Sequence, residues 1–254
     1  MSEPFAIAGG ASSELETVFV RIRLADDTVG HGEASPFPAF NGENAQKSII
    51  QIRRAGKKWL GRDAAAWRTR LEELENYLPR HGGAARAALG MALLDAWTRR
   101  AGIPLRTLFG GASDRVVSDV TVTLGDEAAA FAAARRIRAL GVSIVKIKIG
   151  YSPREDAARV AAVASAHPRA KLTLDANQGY GPSQSLALVR LLRARGIRPI
   201  LFEQPAEADD LSGMASFHKK SGIPVAADES LRGRGDALKL ARYGAAQVLN
   251  INLM

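Results

Sequence analysis

Three carboxylates recur at the ends of short apolar runs: Asp175 closes Lys-Leu-Thr-Leu-Asp, Glu203 closes Ile-Leu-Phe-Glu, and Asp228 closes Pro-Val-Ala-Ala-Asp. A carboxylate at the mouth of a buried strand invites a cation. Three hard oxygen donors, with no cysteine in the chain and no histidine nearby, form the set that suits Mg2+, with Mn2+ as a second ion such a set accepts. Any one of these acids alone would read as a helix cap or an ion-pair partner. Arriving at successive strand ends, they read better as Mg2+ ligands, with Asn177 and Glu229 behind them orienting the ligands by hydrogen bonds. Two lysines precede the acids, Lys146 and Lys148 in Val-Lys-Ile-Lys-Ile-Gly. Residues i and i+2 of a strand face the same way, so both lysines point to one side while Val145, Ile147 and Ile149 pack on the other. A single inward lysine is more often a structural ion-pair partner. Two in tandem beside an acid cluster suggest a general base, since desolvation lowers the pKa of a lysine held in an apolar lumen.

The elements that must position these groups follow from the pattern of the chain. From Val116 onward, strand-like runs at 116–124, 144–149, 172–176, 200–204, 225–227 and 247–253 alternate with helical runs at 127–140, 154–166, 183–195, 209–221 and 236–241. Six strands alternating with five helices predict parallel βαβ units with right-handed crossovers. The polar strand-end residues Lys148, Asp175, Glu203, Asp228 and Asn252 follow at intervals of 27, 28, 25 and 24. That spacing approaches the roughly 31 residues per unit of a (β/α)8 barrel, which gathers strand-end residues at one mouth. A doubly wound sheet would bring a Gly-rich phosphate loop, which is absent.

Residues 1–112 read differently. Two alternating runs around the Asp26-Asp27 turn predict an antiparallel hairpin, and helical patterns at 45–59, 64–77 and 84–101 follow, punctuated by Gly61, Pro79, Gly82-Gly83 and Gly102. The reading is therefore an N-terminal α+β capping domain over 1–112 and a (β/α) barrel domain over 113–254. Two segments of the cap, Phe5 to Glu14 and Ser35 to Glu43, read as loops, the first mobile, the second presenting Phe37 and Phe40 to whatever it covers. The chain stops at Met254 within the sixth strand-like run, so two further βα units, and the first strand of the cap, are expected on a longer gene product or another chain.

With 254 residues and 46% hydrophobic content the chain can bury a substantial core. No cysteine means no disulfide and no thiol chemistry, which suits a reducing compartment. No basic leader and no apolar run near ~20 residues is present, so a cytoplasmic protein with no membrane partner is expected. A formal charge of +9 raises nucleic acid as a partner, but the arginines are spread through Ala-rich helical runs without interleaved aromatics, which fits solvated helix faces better. A basic field would still favour an anionic small molecule.

Lys-x-Lys, Asp-Ala-Asn-Gln, Glu-Gln-Pro and Ala-Asp-Glu-Ser, in this order and spacing, resemble the enolase superfamily in its muconate-lactonizing subgroup, over nearly the whole chain. Asp-Ala-Asn-Gln-Gly-Tyr and Asn-Ile-x-Leu-Met are most similar to the dipeptide epimerases, relatives of L-Ala-D/L-Glu epimerase. The resemblance implies an isomerase in which Asp175, Glu203 and Asp228 bind Mg2+ and Lys148 removes the α-proton of a dipeptide or N-acyl amino acid carboxylate to give an enediolate, logic given for this superfamily in general. It also implies that Lys146 and Thr121 contact the substrate carboxylate and that the cap loops carrying Phe5, Phe37 and Phe40 select the substrate. One departure stands out: the family's opposing lysine belongs at the sixth strand, where this chain has Asn252. An amide cannot remove an α-proton. One-base elimination or cycloisomerisation, as in o-succinylbenzoate synthase or muconate cycloisomerase, and a catalytically silent scaffold therefore stay open beside epimerisation. The oligomeric state is open too, an unclosed barrel being expected to associate.

Overall fold

The computed structural model describes residues 5–7, 10–12, 14–38, 42–79 and 82–252. Contacts divide them into two compact units, one from Glu14 to Val116 and the other from Val117 to Asn252 together with the described part of the first thirteen residues.

In the first unit, β3 (Val18–Arg23) and β4 (Val29–Ala34) form the expected antiparallel hairpin in register from Val18↔Ala34 to Arg23↔Val29. Asp27 takes a left-handed φ of 65° in the turn, and Asp26 Oδ1 accepts from the Thr28 amide at 3.1 Å. Helices α1 (Ala45–Trp59), α2 (Trp67–Tyr77) and α3 (Gly83–Ala101) follow, with a 3-10 turn at Ala64–Ala66 where the sequence reading runs one helix through. Asn44 caps α1 through the Lys47 amide at 2.9 Å. Buried Glu43 caps α3 with both oxygens, accepting from the Gly83 amide at 2.7 Å and the Ala84 amide at 3.0 Å, and so fixes the end of the loop that precedes α1. The hairpin lies backbone against backbone on α3: a Cβ built on Gly32 would fall 2.0 Å from the Ala88 carbonyl oxygen, and one on Gly30 2.2 Å from the Ala96 amide nitrogen. The short helix α4 (Leu105–Leu108) closes the unit. The Phe5 to Glu14 segment, read as a mobile loop, instead contains two short strands, β1 (Phe5–Ile7) and β2 (Gly10–Ser12), paired antiparallel. β2, Gly-Ala-Ser, holds no large apolar residue, so one side of the ladder lacks the periodic signal that marks a strand.

The second unit is a parallel sheet of β5 (Asp119–Val122), β6 (Ile144–Lys148), β7 (Lys171–Asp175), β8 (Leu201–Glu203), β9 (Val225–Ala227) and β10 (Val248–Leu249). Each strand neighbours the next in sequence order, without the reversal a doubly wound sheet requires, which is the winding of a (β/α)8-type wall. The connecting helices are α5 (Glu127–Ala139), α6 (Pro153–Ala166), α7 (Pro182–Ala194), α8 (Leu211–Ser221) and α9 (Arg234–Tyr243). Ser152 and Pro153 start α6 as N-cap and first-turn proline, and a left-handed Gly222 ends α8. The core lies between sheet and helices, where Ile147, Leu174, Phe202 and Val225 meet Val160, Leu188 and Phe217; the Phe202 and Phe217 rings pack edge to face at 4.8 Å.

Several strands are shorter than their sequence patterns, β5 and β10 most of all. Val116 and Val117 are exposed ahead of β5. Among the described residues of the sixth run Val248 and Leu249 form the strand, paired with β9, and the Asn250 amide still donates to Ala227 O at 2.9 Å. Among the described residues no helix is long and apolar enough to cross a membrane.

Candidate active site

The strand ends of the second unit carry the chemistry. The register pairs Lys148 with Asp175 and Asp175 with Glu203, while Thr121, Lys146 and Thr173 are successive register partners on adjoining strands. Side-chain alternation therefore places all of these groups on the face opposite Ile147 and Leu174. Asp228 follows β9 by one residue, its amide held by Gln204 Oε1 at 3.1 Å.

Asp175, wholly buried, is the hub. Its Oδ2 lies 2.8 Å from Lys146 Nζ and 2.7 Å from Lys148 Nζ, and its Oδ1 accepts from the Asn177 amide at 2.9 Å. Lys146 Nζ also donates to Glu203, at 2.9 Å to Oε1 and 2.8 Å to Oε2. Lys148 Nζ donates to Asn177 Oδ1 at 2.7 Å, and Asn177 Nδ2 reaches Glu229 Oε1 at 3.3 Å. Asn252 Nδ2 donates to Asp228 Oδ1, and Asn250 Nδ2 to Glu203 Oε1 at 3.0 Å.

The electrostatics correct one sequence expectation. Burial disfavours the charge on Lys146, as anticipated, but the adjacent carboxylates of Asp175 and Glu203 outweigh it and hold the ammonium above its ordinary range. Burial likewise opposes the charge on Asp175, and the two lysines overcome it and keep the carboxyl ionised. Glu203 is pushed up to about 7 by burial and by the charge of Asp175, and Asp228 is raised by the same two causes. Glu229 is raised chiefly by burial, and its Oε2 is buried without a hydrogen-bond partner.

As the side chains stand, no three acids or histidines among the described residues converge closely enough to hold one ion. The Lys146 ammonium lies between Asp175 and Glu203 instead. The donor set nevertheless fits a divalent cation. Four carboxylates, Asp175, Glu203, Asp228 and Glu229, face two ammonium groups, a formal excess of two negative charges at a buried cluster of oxygen donors.

Thr121 is half-buried on the face that carries Lys146. Phe37 is half-buried within the first unit. Of Phe5 only the strand backbone is described, and Phe40 lies outside the described residues. Three groups escaped sequence reasoning. Asn250 was findable, since it shares the alternation of Asn252, and so was Thr173, two residues before Asp175, whose buried hydroxyl has no hydrogen-bond partner. Gln204 carried no periodic signal and entered only as the middle residue of Glu-Gln-Pro, without a role.

Comparison with known proteins places this geometry in context. Residues 1–110 match the mandelate racemase / muconate lactonizing enzyme N-terminal domain, and residues 128–254 match the enolase C-terminal domain-like family. An aromatic dipeptide epimerase of Herpetosiphon aurantiacus is 43% identical over 255 residues, covering 100% of this chain and 71% of that protein. The dipeptide epimerase of Enterococcus faecalis, solved with Mg and L-Leu-L-Tyr, superposes with a TM-score of 0.93 at 30% identity, covering 99% of this chain and 71% of that one. The substrate-liganded L-Ala-D/L-Glu epimerase of Bacillus subtilis superposes with a TM-score of 0.94, also at 30% identity, with 99% and 71% covered.

Proposed function

This chain belongs to the mandelate racemase/muconate lactonizing group of the enolase superfamily, and on that premise we propose that it is an isomerase of the dipeptide epimerase type, with Lys148 removing the α-proton of a dipeptide or N-acyl amino acid. Asp175, Glu203 and Asp228 would hold Mg2+, and the same oxygen set accepts Mn2+. Bound there, the ion supplies positive charge beside the substrate carboxylate and so offsets the charge released when the α-proton leaves.

The observation that carries this reading is the pair of hydrogen bonds that fix Lys148 Nζ, 2.7 Å to Asp175 Oδ2 and 2.7 Å to Asn177 Oδ1. A base must be aimed before its pKa matters, and these contacts aim this amine at the acid cluster from a buried position. Lys146, two residues before Lys148 and on the same face, would meet the substrate carboxylate. Thr121, its register partner, offers a hydroxyl on the same face. The Phe5, Phe37 and Phe40 segments belong in this proposal as the substrate-selecting side of the cap.

Asn252 favours a one-base course. Its amide donates to Asp228 where the resemblance calls for an opposing lysine, so a proton returned by Lys148 gives exchange with retention, and inversion would need a proton from water on the far face. The test is α-proton exchange in D2O, followed by NMR on a panel of dipeptides with Mg2+. Exchange is expected in the unmodified chain and should fall about 10²–10⁴-fold in Lys148→Ala. Equal exchange in both would remove Lys148 from the base role.

A further inference from the structure

Gln204 directly follows Glu203, is wholly buried, and takes a left-handed φ of 41°. That conformation is costly for a residue with a side chain, and such strain persists only where the surroundings over-determine it. The surroundings here are specific. Gln204 Oε1 accepts from two backbone amides, Asp228 at 3.1 Å and Ser230 at 3.2 Å. Its Nε2 donates to Ser230 Oγ at 2.7 Å and to Ala206 O at 3.0 Å. Flipping the carboxamide would set NH2 against two N–H donors, so the orientation is fixed by its partners. The network continues outward. Ser230 Oγ donates to Ala208 O at 2.7 Å, and the Ala208 amide donates to Gln178 Oε1 at 2.9 Å. Gln178, three residues after Asp175, also has a left-handed φ, 66°. The three loops that follow Asp175, Glu203 and Asp228 are thus stitched together by the buried amide of Gln204, the half-buried amide of Gln178 and the hydroxyl of Ser230.

We propose that Gln204 is the positioning residue of the acid cluster: its carboxamide, bonded to the Asp228 amide from the residue next to Glu203, sets the separation of the two carboxylates and hence the affinity of the site for a divalent cation. This rests on the Mg2+ reading above. Removing the carboxamide leaves two strand-end amides without their buried acceptor and frees Asp228 to shift relative to Glu203.

The test is isothermal titration of the metal-free protein with Mg2+, with thermal unfolding in EDTA as the fold readout. Gln204→Met keeps the volume and loses the hydrogen bonds. Gln204→Gly loses them too but relieves the backbone strain, and so guards against a variant that fails to fold. Ser185→Ala is the control, because Ser185 Oγ donates to Pro205 O at 2.7 Å in the same loop without touching Asp228. Both Gln204 variants are expected to raise the Mg2+ Kd at least tenfold, while Ser185→Ala lowers the melting temperature and leaves Kd within twofold. Folded Gln204 variants with a Kd within twofold of the unmodified chain would overturn the positioning role, provided Asp228→Asn weakens binding tenfold or more. Asp228→Asn binding as tightly as the unmodified chain would overturn the metal reading and the positioning role with it.

Discussion

Asn252 donates its side-chain amide to the carboxylate of Asp228, bridging from the sixth strand segment to the fifth. An amide there stabilises a carboxylate but neither takes nor delivers a proton at catalytic pH. Asn252→Lys would place an ammonium beside the same acid. With dipeptides and Mg2+, the unmodified chain is expected to exchange the α-proton faster than it inverts the centre, and Asn252→Lys to speed inversion, read by chiral chromatography of the recovered dipeptide. Inversion by the unmodified chain at the rate of its exchange would refute a one-base course.

Arg159 is a second hub behind the site. Nη1 donates to Lys148 O and to Asp156 Oδ1, each at 2.8 Å, and Nη2 donates to Thr123 O at 2.8 Å, tying the ends of β5 and β6 to α6. Arg159→Met keeps the apolar stem but leaves the buried Asp156 carboxylate without its cation, a loss of about 3–5 kcal/mol. Tyr180→Phe removes one hydrogen bond to Asp156 Oδ2 and should cost less, about 1.5–3 kcal/mol, since Gly150 N and Tyr151 N still reach that oxygen. Urea unfolding curves of the two variants check the order; Tyr180→Phe proving the more damaging would be the wrong result.

The hairpin and α3 leave no room at Gly32. A methyl group there meets the Ala88 carbonyl, which cannot rotate aside, so Gly32→Ala should destabilise the first unit by about 3 kcal/mol. Gly56, inside α1, has nothing nearer than Leu89 Cδ2 at 4.0 Å, and Gly56→Ala should stabilise by about 0.5–1 kcal/mol. Calorimetric scans of both variants should move in opposite directions.

Asp95 provides a pH-dependent contact. Burial would raise its pKa, but Arg99 Nε at 2.8 Å and the His31 amide at 2.9 Å hold it below 3.8. A carboxyl depressed in the folded state contributes fully above its unfolded pKa, and the contribution is lost as pH falls through the folded value. Asp95→Asn should therefore cost about 1 kcal/mol at pH 7 and progressively less below pH ~3.8, once the native carboxyl is protonated too. Urea unfolding at pH 7, 5, 3 and 2 measures the difference; a constant gap across that range would sink the assignment.

The sequence by itself determined which residues reach the strand ends. Alternation put Lys146 and Lys148 on one face, unit spacing brought Asp175, Glu203 and Asp228 to neighbouring strands, and the change of grammar near Val116 separated a hairpin-and-helix unit from a parallel one. These are local properties, set by the period of a strand and the length of a βα unit. Tertiary structure decided how those groups are partnered. Only the register of β6, β7 and β8 brings the Lys146 ammonium between Asp175 and Glu203, where two carboxylates overturn the lowering that burial alone would produce. Only the approach of three loops lets Gln204, silent in every periodic pattern, bond to the amides of Asp228 and Ser230. A residue's direction along a strand is written in its own neighbours, whereas its charge state and its hydrogen-bond partners are set by groups tens of residues away, at distances that folding alone fixes.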